Sequence, residues 1–61
     1  MTPTEIKKIR ECAGLTQEQM AQLLGYGAAV RVSELERGVR NPSKSVIKIL
    51  EMIAAGKIKH Q

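Results

Sequence analysis

The residues of this sequence that could take part in recognition chemistry are mostly basic, and they lie in its middle. Arg31 is part of the segment AAVRVSELERG, and a run of cations follows with no acidic residue between its members. This run consists of Arg37, Arg40, Lys44 and Lys48. A guanidinium group donates hydrogen bonds in a planar fork that suits phosphate groups and the guanine edge. The sequence therefore favours contact with a polyanion, and a solvated basic face is the alternative.

Residue types that catalysis and metal binding require are scarce. The only histidine, His60, lies near the C-terminal end of the sequence, and the only cysteine is Cys12. One cysteine can form neither an intrachain disulfide nor the cysteine cluster of a structural zinc site. The glycines follow neither the dinucleotide-binding nor the phosphate-loop pattern. We therefore expect no enzymatic activity, no metal or other cofactor, and no small-molecule ligand.

Size and charge indicate a single small domain with an anionic partner. The 61 residues include ten lysines and arginines against six acidic residues, which gives a formal net charge of +4. Such a surplus favours nucleic acid as the partner. The sequence contains no signal-peptide pattern and no run of the ~20 apolar residues that a membrane span needs. We expect a cytoplasmic protein without membrane association.

Capping signals predict two helices in the first half of the chain. Thr2 and Glu5 form a capping box for helix one, and Thr16 and Gln19 repeat it for helix two. A glycine is well suited to end a helix because it adopts the left-handed conformation without strain. The glycines predicted to end these helices are Gly14 and Gly25. The link between the helices is short, so they should be neighbours in space.

The second half of the chain predicts two more helices. Helix three should span residues 28–37 and end at Gly38, and Ser43 should cap helix four over residues 44–55. From helix three, Ala28, Val32 and Leu35 should face the core. The apolar residues of helix four are Val46, Ile47, Ile49, Leu50 and Ile53. The predicted fold class is all-α: one compact domain of four helices over residues 1–56. Residues 57–61 form a C-terminal tail with the option of a short fifth turn.

Helix three presents an outward face that suits the major groove of DNA. At 100° per residue, Val30, Arg31, Ser33 and Glu34 lie opposite its core face. Arg31 could donate to guanine O6 and N7, and Val30 could contact a thymine methyl group. Ser33 could contact a base or a phosphate, and Glu34 could accept from cytosine N4 or orient a nearby arginine. A phosphate contact or a solvated side chain is the alternative for Arg31.

Three motifs in order resemble the Cro/phage-repressor (Xre) helix-turn-helix family. They are GLTQEQMA at residues 14–21, the VSxxExG pattern at residues 32–38, and the RNP that follows. The resemblance covers about residues 5–55 and implies the fold of that family. The segment between Gly25 and Val32 is one residue longer than is usual in the family. We expect Gly27 to absorb the extra residue with a positive φ angle.

The resemblance also assigns roles to individual residues. It implies that Gln17, just after the cap residue Thr16, binds phosphate near the start of helix two. It further implies a partly buried ion pair between Arg10 and Glu36 that joins helices one and three. Together with the basic run, the residues expected to contact phosphate are Thr16, Gln17, Arg37, Arg40 and Lys44.

The fourth helix carries more apolar residues than one small core can use. Exposed apolar patches often mark partner sites. We therefore expect a homodimer through helix four and the end segment AAGKIKHQ, with Met52, Ile53 and Ile58 at the centre of the interface. A monomer that pairs only on its binding site is the alternative.

The functional expectation is a sequence-specific DNA-binding regulator of transcription. The family resemblance implies a repressor of its own operon that binds an inverted-repeat operator in double-stranded DNA as a dimer. Small members of this family are common in phages and mobile elements, including repressors of anti-CRISPR operons. An antitoxin-type protein-binding module with autoregulatory DNA binding is one alternative, and an RNA-binding regulator is another. Tyr26 is the only aromatic residue, which disfavours stacking on single-stranded RNA.

Overall fold

The computed structural model describes residues 1–56, which form four helices and no strand. The helices are α1 (Pro3–Cys12), α2 (Gln17–Leu23), α3 (Ala29–Arg37) and α4 (Lys44–Ala54). The predicted all-α, four-helix class is confirmed. The predicted tail and the optional fifth turn lie outside the described residues. Within residues 1–56, none of the helices has the length and apolar character needed to cross a membrane.

Both predicted capping boxes are present and define where α1 and α2 begin. The hydroxyl oxygens of Thr2 and Thr16 accept hydrogen bonds from the backbone amides of Glu5 and Gln19, at 3.2 and 3.1 Å. The side chains of Glu5 and Gln19 accept in return from the cap backbone amides at 2.9 Å. The bond from the Thr2 amide holds the pKa of Glu5 below its usual value. Local hydrogen bonds alone therefore fix these two helix starts.

Glycines with positive φ angles end the helices where the chain must turn. Gly38 follows α3 with φ +78°, and a Cβ atom there would lie 3.3 Å from Pro3 Cγ. The end of α3 therefore rests against the start of α1. In the turn between α2 and α3, Gly25 has φ +81° and Gly27 does not have a positive φ angle. The prediction for Gly27 was wrong because the turn reverses at the C-terminal end of α2, before the extra residue is reached.

The core is formed by apolar side chains from all four helices and from the turns after α1 and α2. Its buried members are Ile6, Leu15, Met20, Ala21, Leu24, Val32, Leu35, Val46, Leu50 and Ile53. One residue predicted to face the core differs from this arrangement. Ala28 is exposed because it precedes α3 as its N-cap residue and is not part of the helix. On α4, Ile47 and Ile49 are half-buried, and Ile49 packs against the core beside the buried Val46 and Leu50.

Ile53 lies inside its own chain and not on a free surface. Its side chain is 4% exposed, because it shares one face of α4 with Val46 and Leu50. The prediction that Ile53 lies at the centre of a subunit interface was therefore wrong. Met52, which directly precedes Ile53, is 44% exposed. Ile58, the third predicted interface residue, lies outside the described part of the chain.

The start of α3 gives a testable prediction about stability. Thr2, Thr16 and Ser43 cap the other three described helices, whereas Ala28 caps α3 with extended backbone angles and no side-chain hydrogen bond. Ala28→Ser should raise the free energy of unfolding by about 1 kcal/mol, because the serine oxygen can accept from a free amide of the first turn. Urea denaturation measures the change. Ala29→Ser is the matched control, since a serine one position later cannot cap; an equal gain from both variants would contradict the explanation.

Candidate nucleic-acid interface

Helix α3 is fixed to the protein along one face and open to solvent along the other. Val32 and Leu35 are fully buried against the core, and α3 packs against both α1 and α2. On the opposite face Val30 is 54% exposed, and the side chain of Arg31 is 47% exposed. The helix therefore presents a rigidly supported surface on which an apolar and a cationic side chain are adjacent.

The other two residues predicted on this face are less accessible. Ser33 is half-buried, and its backbone carbonyl accepts a long hydrogen bond of 3.4 Å from Arg37 Nε. The Glu34 side chain is 23% exposed, half as much as that of Arg31. Of the four residues predicted to face DNA, Val30 and Arg31 thus project furthest from α3.

Glu34 is at the centre of a small cluster of charges. Its Oε1 atom accepts hydrogen bonds from Arg31 Nη1 at 3.3 Å and from Arg40 Nε at 3.1 Å. The hydrogen bond from Arg40, reinforced by that from Arg31, holds the pKa of Glu34 below its usual value. The carboxylate is therefore ionised at neutral pH and shared between two arginines.

The turn after α3 brings Arg40 back toward the helix. The backbone carbonyl of Glu34 accepts from the amides of Val39 and Arg40, at 2.9 and 3.3 Å. The left-handed conformation of Gly38 makes this reversal possible. The contact between Glu34 and Arg40 spans six residues, so helical periodicity could not have indicated it. The only signal in the sequence was the glycine that permits the turn.

Arg10 and Glu36 form the ion pair that the family resemblance implied. Arg10 Nε donates to Glu36 Oε2 at 2.6 Å, and Arg10 Nη2 donates to Glu36 Oε1 at 3.2 Å. The side chains are only 15% and 5% exposed. The hydrogen bond to Glu36 raises the pKa of Arg10. A third nitrogen, Nη1, donates to the carbonyl of Leu15 at 3.0 Å, so the pair joins α1, α3 and the turn before α2.

Gln17 and Thr16 lie at the start of α2, beside this ion pair. Gln17 Nε2 donates to Glu36 Oε1 at 3.3 Å, a contact that the sequence did not indicate. A side-chain amide has two donor hydrogens, so one remains for an external acceptor. The Thr16 hydroxyl oxygen accepts the capping bond and keeps its own hydrogen for donation. Both side chains can therefore still donate to an anion.

The remaining basic residues line the surface that follows α3. Arg37, Lys44 and Lys48 are exposed. Lys44 is the first residue of α4, whose first turn contains no acidic residue. A cation is unfavourable at the positive N-terminal end of a helix, so an external anion would relieve the repulsion there. Within residues 1–56, no group of histidine, cysteine and acidic residues is arranged to hold a metal ion.

Comparison with known protein families identifies the fold family of the chain. A family model described as helix-turn-helix matches residues 6–53, well over half of the 61 residues. The matched range contains α2, α3 and the turn between them in full. No curated protein and no solved structure matches the chain.

The Arg10–Glu36 pair predicts a large loss of stability when one partner is removed. Glu36→Ala should lower the free energy of unfolding by about 3 kcal/mol, because it leaves the Arg10 guanidinium largely desolvated and unpaired. A domain of this length has a total stability of roughly 3–9 kcal/mol, so the melting temperature should fall steeply. Urea denaturation followed by circular dichroism measures the loss.

Glu34→Ala is the matched control, because it removes a more exposed carboxylate from the same helix. It should change stability far less than Glu36→Ala. The double variant Arg10→Met with Glu36→Leu should recover part of the loss, since it strands no charge. Equal effects of Glu34→Ala and Glu36→Ala would mean that the pair does not hold α1 and α3 together.

Proposed function

The chain belongs to the helix-turn-helix family of Cro-like and phage-repressor-like proteins, which are DNA-binding regulators of transcription, and on that premise we propose that it is a repressor. It binds an inverted-repeat operator in duplex DNA as a two-fold dimer and blocks access of the polymerase. The observation that carries the proposal is the exposed face of α3, where Val30 and Arg31 project beside a basic surface. A cytoplasmic location follows from this activity.

In the proposed complex α3 enters the major groove and reads base edges. Arg31 contacts its neighbour Glu34 through Nη1, which leaves Nε and Nη2 for groups outside the chain. These two donors match the O6 and N7 acceptors of guanine. Val30 packs against a thymine methyl group, and Ser33 contacts a base or the adjacent sugar–phosphate chain.

Residues on both sides of α3 hold the DNA backbone. Thr16 and Gln17 retain free donor hydrogens at the start of α2, and they approach one phosphate strand. The basic residues after α3 approach the strand on the other side of the groove. They are Arg37, Arg40 and Lys44. Such contacts fix the orientation of the protein without reading sequence.

A single copy reads only half of such an operator. The longest dimension of the domain is 28 Å, which is shorter than one DNA turn of about 34 Å. Two copies related by a two-fold axis place two α3 helices in successive major grooves. The exposed Met52, flanked by Lys48 and Glu51 on α4 and by Ala55 directly after it, provides the contact. Lys48 and Glu51 have opposite charges, which suits a self-complementary surface.

Recognition of single-stranded RNA has little support. Stacking of unpaired bases requires an accessible aromatic ring. Tyr26, the only aromatic residue of the chain, is half-buried and packs against the hydrophobic core. Duplex DNA, which is read by a helix and not by a stacking platform, fits the surface better.

Base reading and phosphate contact predict different behaviour for two arginines of α3. Selection of bound fragments from random duplex DNA first gives the operator. On that operator, Arg31→Ala should cost about 1–3 kcal/mol of binding free energy and relax the preference at one base pair in each half-site. Arg37→Ala should weaken binding to all sequences alike. It should also reduce the slope of log affinity against log salt by about 0.9 for each phosphate that a subunit no longer neutralises.

The two variants serve as controls for each other, because they remove the same group from the same helix. Uniform loss of affinity in Arg31→Ala would assign Arg31 to the phosphate backbone. An unchanged salt slope in Arg37→Ala would remove Arg37 from the interface.

The dimer proposal predicts that a charge at Met52 disrupts assembly. Met52→Asp should shift the chain to monomer in sedimentation at micromolar concentrations, because it places a carboxylate in a small apolar contact. Operator affinity should fall with it. Met52→Leu, which keeps the apolar surface, is the control. A wild-type chain that is monomeric at every concentration and protects only one half-site would refute the dimer.

A further inference from the structure

We propose that Glu34 is a positioning residue that sets sequence specificity by holding Arg31 and Arg40 in one fixed arrangement. The inference rests on the proposed binding of duplex DNA and deepens it. Glu34 need not contact a base in this role. Its carboxylate instead links the arginine that reads a base to the arginine that contacts the strand beside it.

The position of the carboxylate supports this role over direct base contact. Its Oε1 atom lies within hydrogen-bond distance of both guanidinium groups, at 3.3 Å from Arg31 and 3.1 Å from Arg40. The two arginine side chains are 47% and 44% exposed, whereas that of Glu34 is 23% exposed. A surface that approaches α3 therefore meets the guanidinium groups more readily than the carboxylate between them.

Each arginine retains donors for DNA while it is held. Arg31 contacts the carboxylate through Nη1 and Arg40 contacts it through Nε. A guanidinium has five donor hydrogens in a rigid plane, so one contact fixes its orientation without exhausting its capacity. The orientation is thus set before DNA arrives, and less side-chain entropy is lost on binding.

The turn after α3 is held by backbone hydrogen bonds, so the Glu34 carboxylate can be tested separately from the turn. The Glu34 carbonyl accepts from the amides of Val39 and Arg40, and these bonds do not involve the side chain. Replacing Glu34 with glutamine should therefore leave the turn intact and remove only the charge. Arg37 lies on the same helix, but its Nε donates to the Ser33 carbonyl. It is the matched arginine outside the cluster.

The charge of Glu34 also affects binding to unrelated DNA. A carboxylate at this surface is repelled by phosphates of any sequence and reduces the effective charge of the two arginines. Sequence-independent affinity depends on the number of phosphates neutralised. Glu34 therefore disfavours non-specific binding while it orders the group that reads the base, and both effects raise the specificity ratio.

The test compares Glu34→Gln with wild type on three duplexes over a series of salt concentrations. These are the selected operator, the operator changed at the base pair that Arg31 reads, and a random duplex. In Glu34→Gln we expect tighter binding to the random duplex, with a steeper salt dependence. Discrimination at the Arg31 base pair should fall by about twofold to fivefold, the range for an exposed ion pair. Thermal denaturation should show an unchanged fold.

Double variants test the link between the arginines. Glu34→Gln and Arg40→Gln should combine non-additively in their effect on discrimination, because the two residues are in contact. Glu34→Gln and Arg37→Gln should combine additively. In the free protein, the NMR titration of the Glu34 carboxyl should move to higher pH in Arg40→Gln and stay unchanged in Arg37→Gln.

Three results would overturn the proposal. One is unchanged discrimination in Glu34→Gln. The second is a weakened preference at a base pair other than that of Arg31, which would assign Glu34 to direct contact with cytosine. The third is a Glu34 carboxyl that titrates at the same pH in Arg40→Gln as in the wild-type protein. Equal binding of the wild-type protein to all three duplexes would instead refute the proposed operator recognition. The wild-type measurement is made first, so the two failures can be distinguished.

Discussion

The ion pair between Arg10 and Glu36 is the interaction on which the rest of the structure depends. One guanidinium binds both oxygens of one carboxylate and the carbonyl of Leu15, and Gln17 adds a further donor. These four residues come from α1, the turn after it, α2 and α3. Two largely desolvated charges are tolerated only when nearly all their hydrogen bonds are satisfied. Together with Gln17, the pair therefore connects the start of α2 to α3, in addition to the packing of the ten buried apolar side chains of the core.

Helix α3 carries a second carboxylate, Glu34, which faces away from the protein. Glu34 and Glu36 are two residues apart, so about 200° of rotation separates them on α3. Glu36 faces the protein and fixes the helix, and Glu34 faces outward between two arginines. A displacement of Glu36 would move Arg31 as well, since α3 is a rigid element. The stability of the fold and the geometry of the exposed face are thus coupled through one short helix.

Much of the fold could be predicted from the sequence because its signals are local. Capping boxes at Thr2 and Thr16 and the glycine after α3 act within a few residues, and the structure contains them. Errors arose where the outcome depends on chain geometry over a longer range. Counting apolar residues on α4 could not tell that Ile53 completes the core. Gly38 indicated a turn after α3, but nothing in the sequence indicated that this turn brings Arg40 to Glu34. The residues on the exposed face of α3 could be predicted, but the hydrogen bonds between their side chains could not.

The placement of two acidic residues bears on where positive charge lies on the described surface. Glu36 is neutralised by Arg10 inside the fold, and Glu34 is shared between two arginines. Within residues 1–56, the ion pairs involve no carboxylate partner for Arg37, Lys44 or Lys48. Within this described part of the chain, positive charge is therefore concentrated on the surface that follows directly after α3. A field concentrated in this way steers an anionic partner toward α3 more effectively than the same charge distributed over the whole surface.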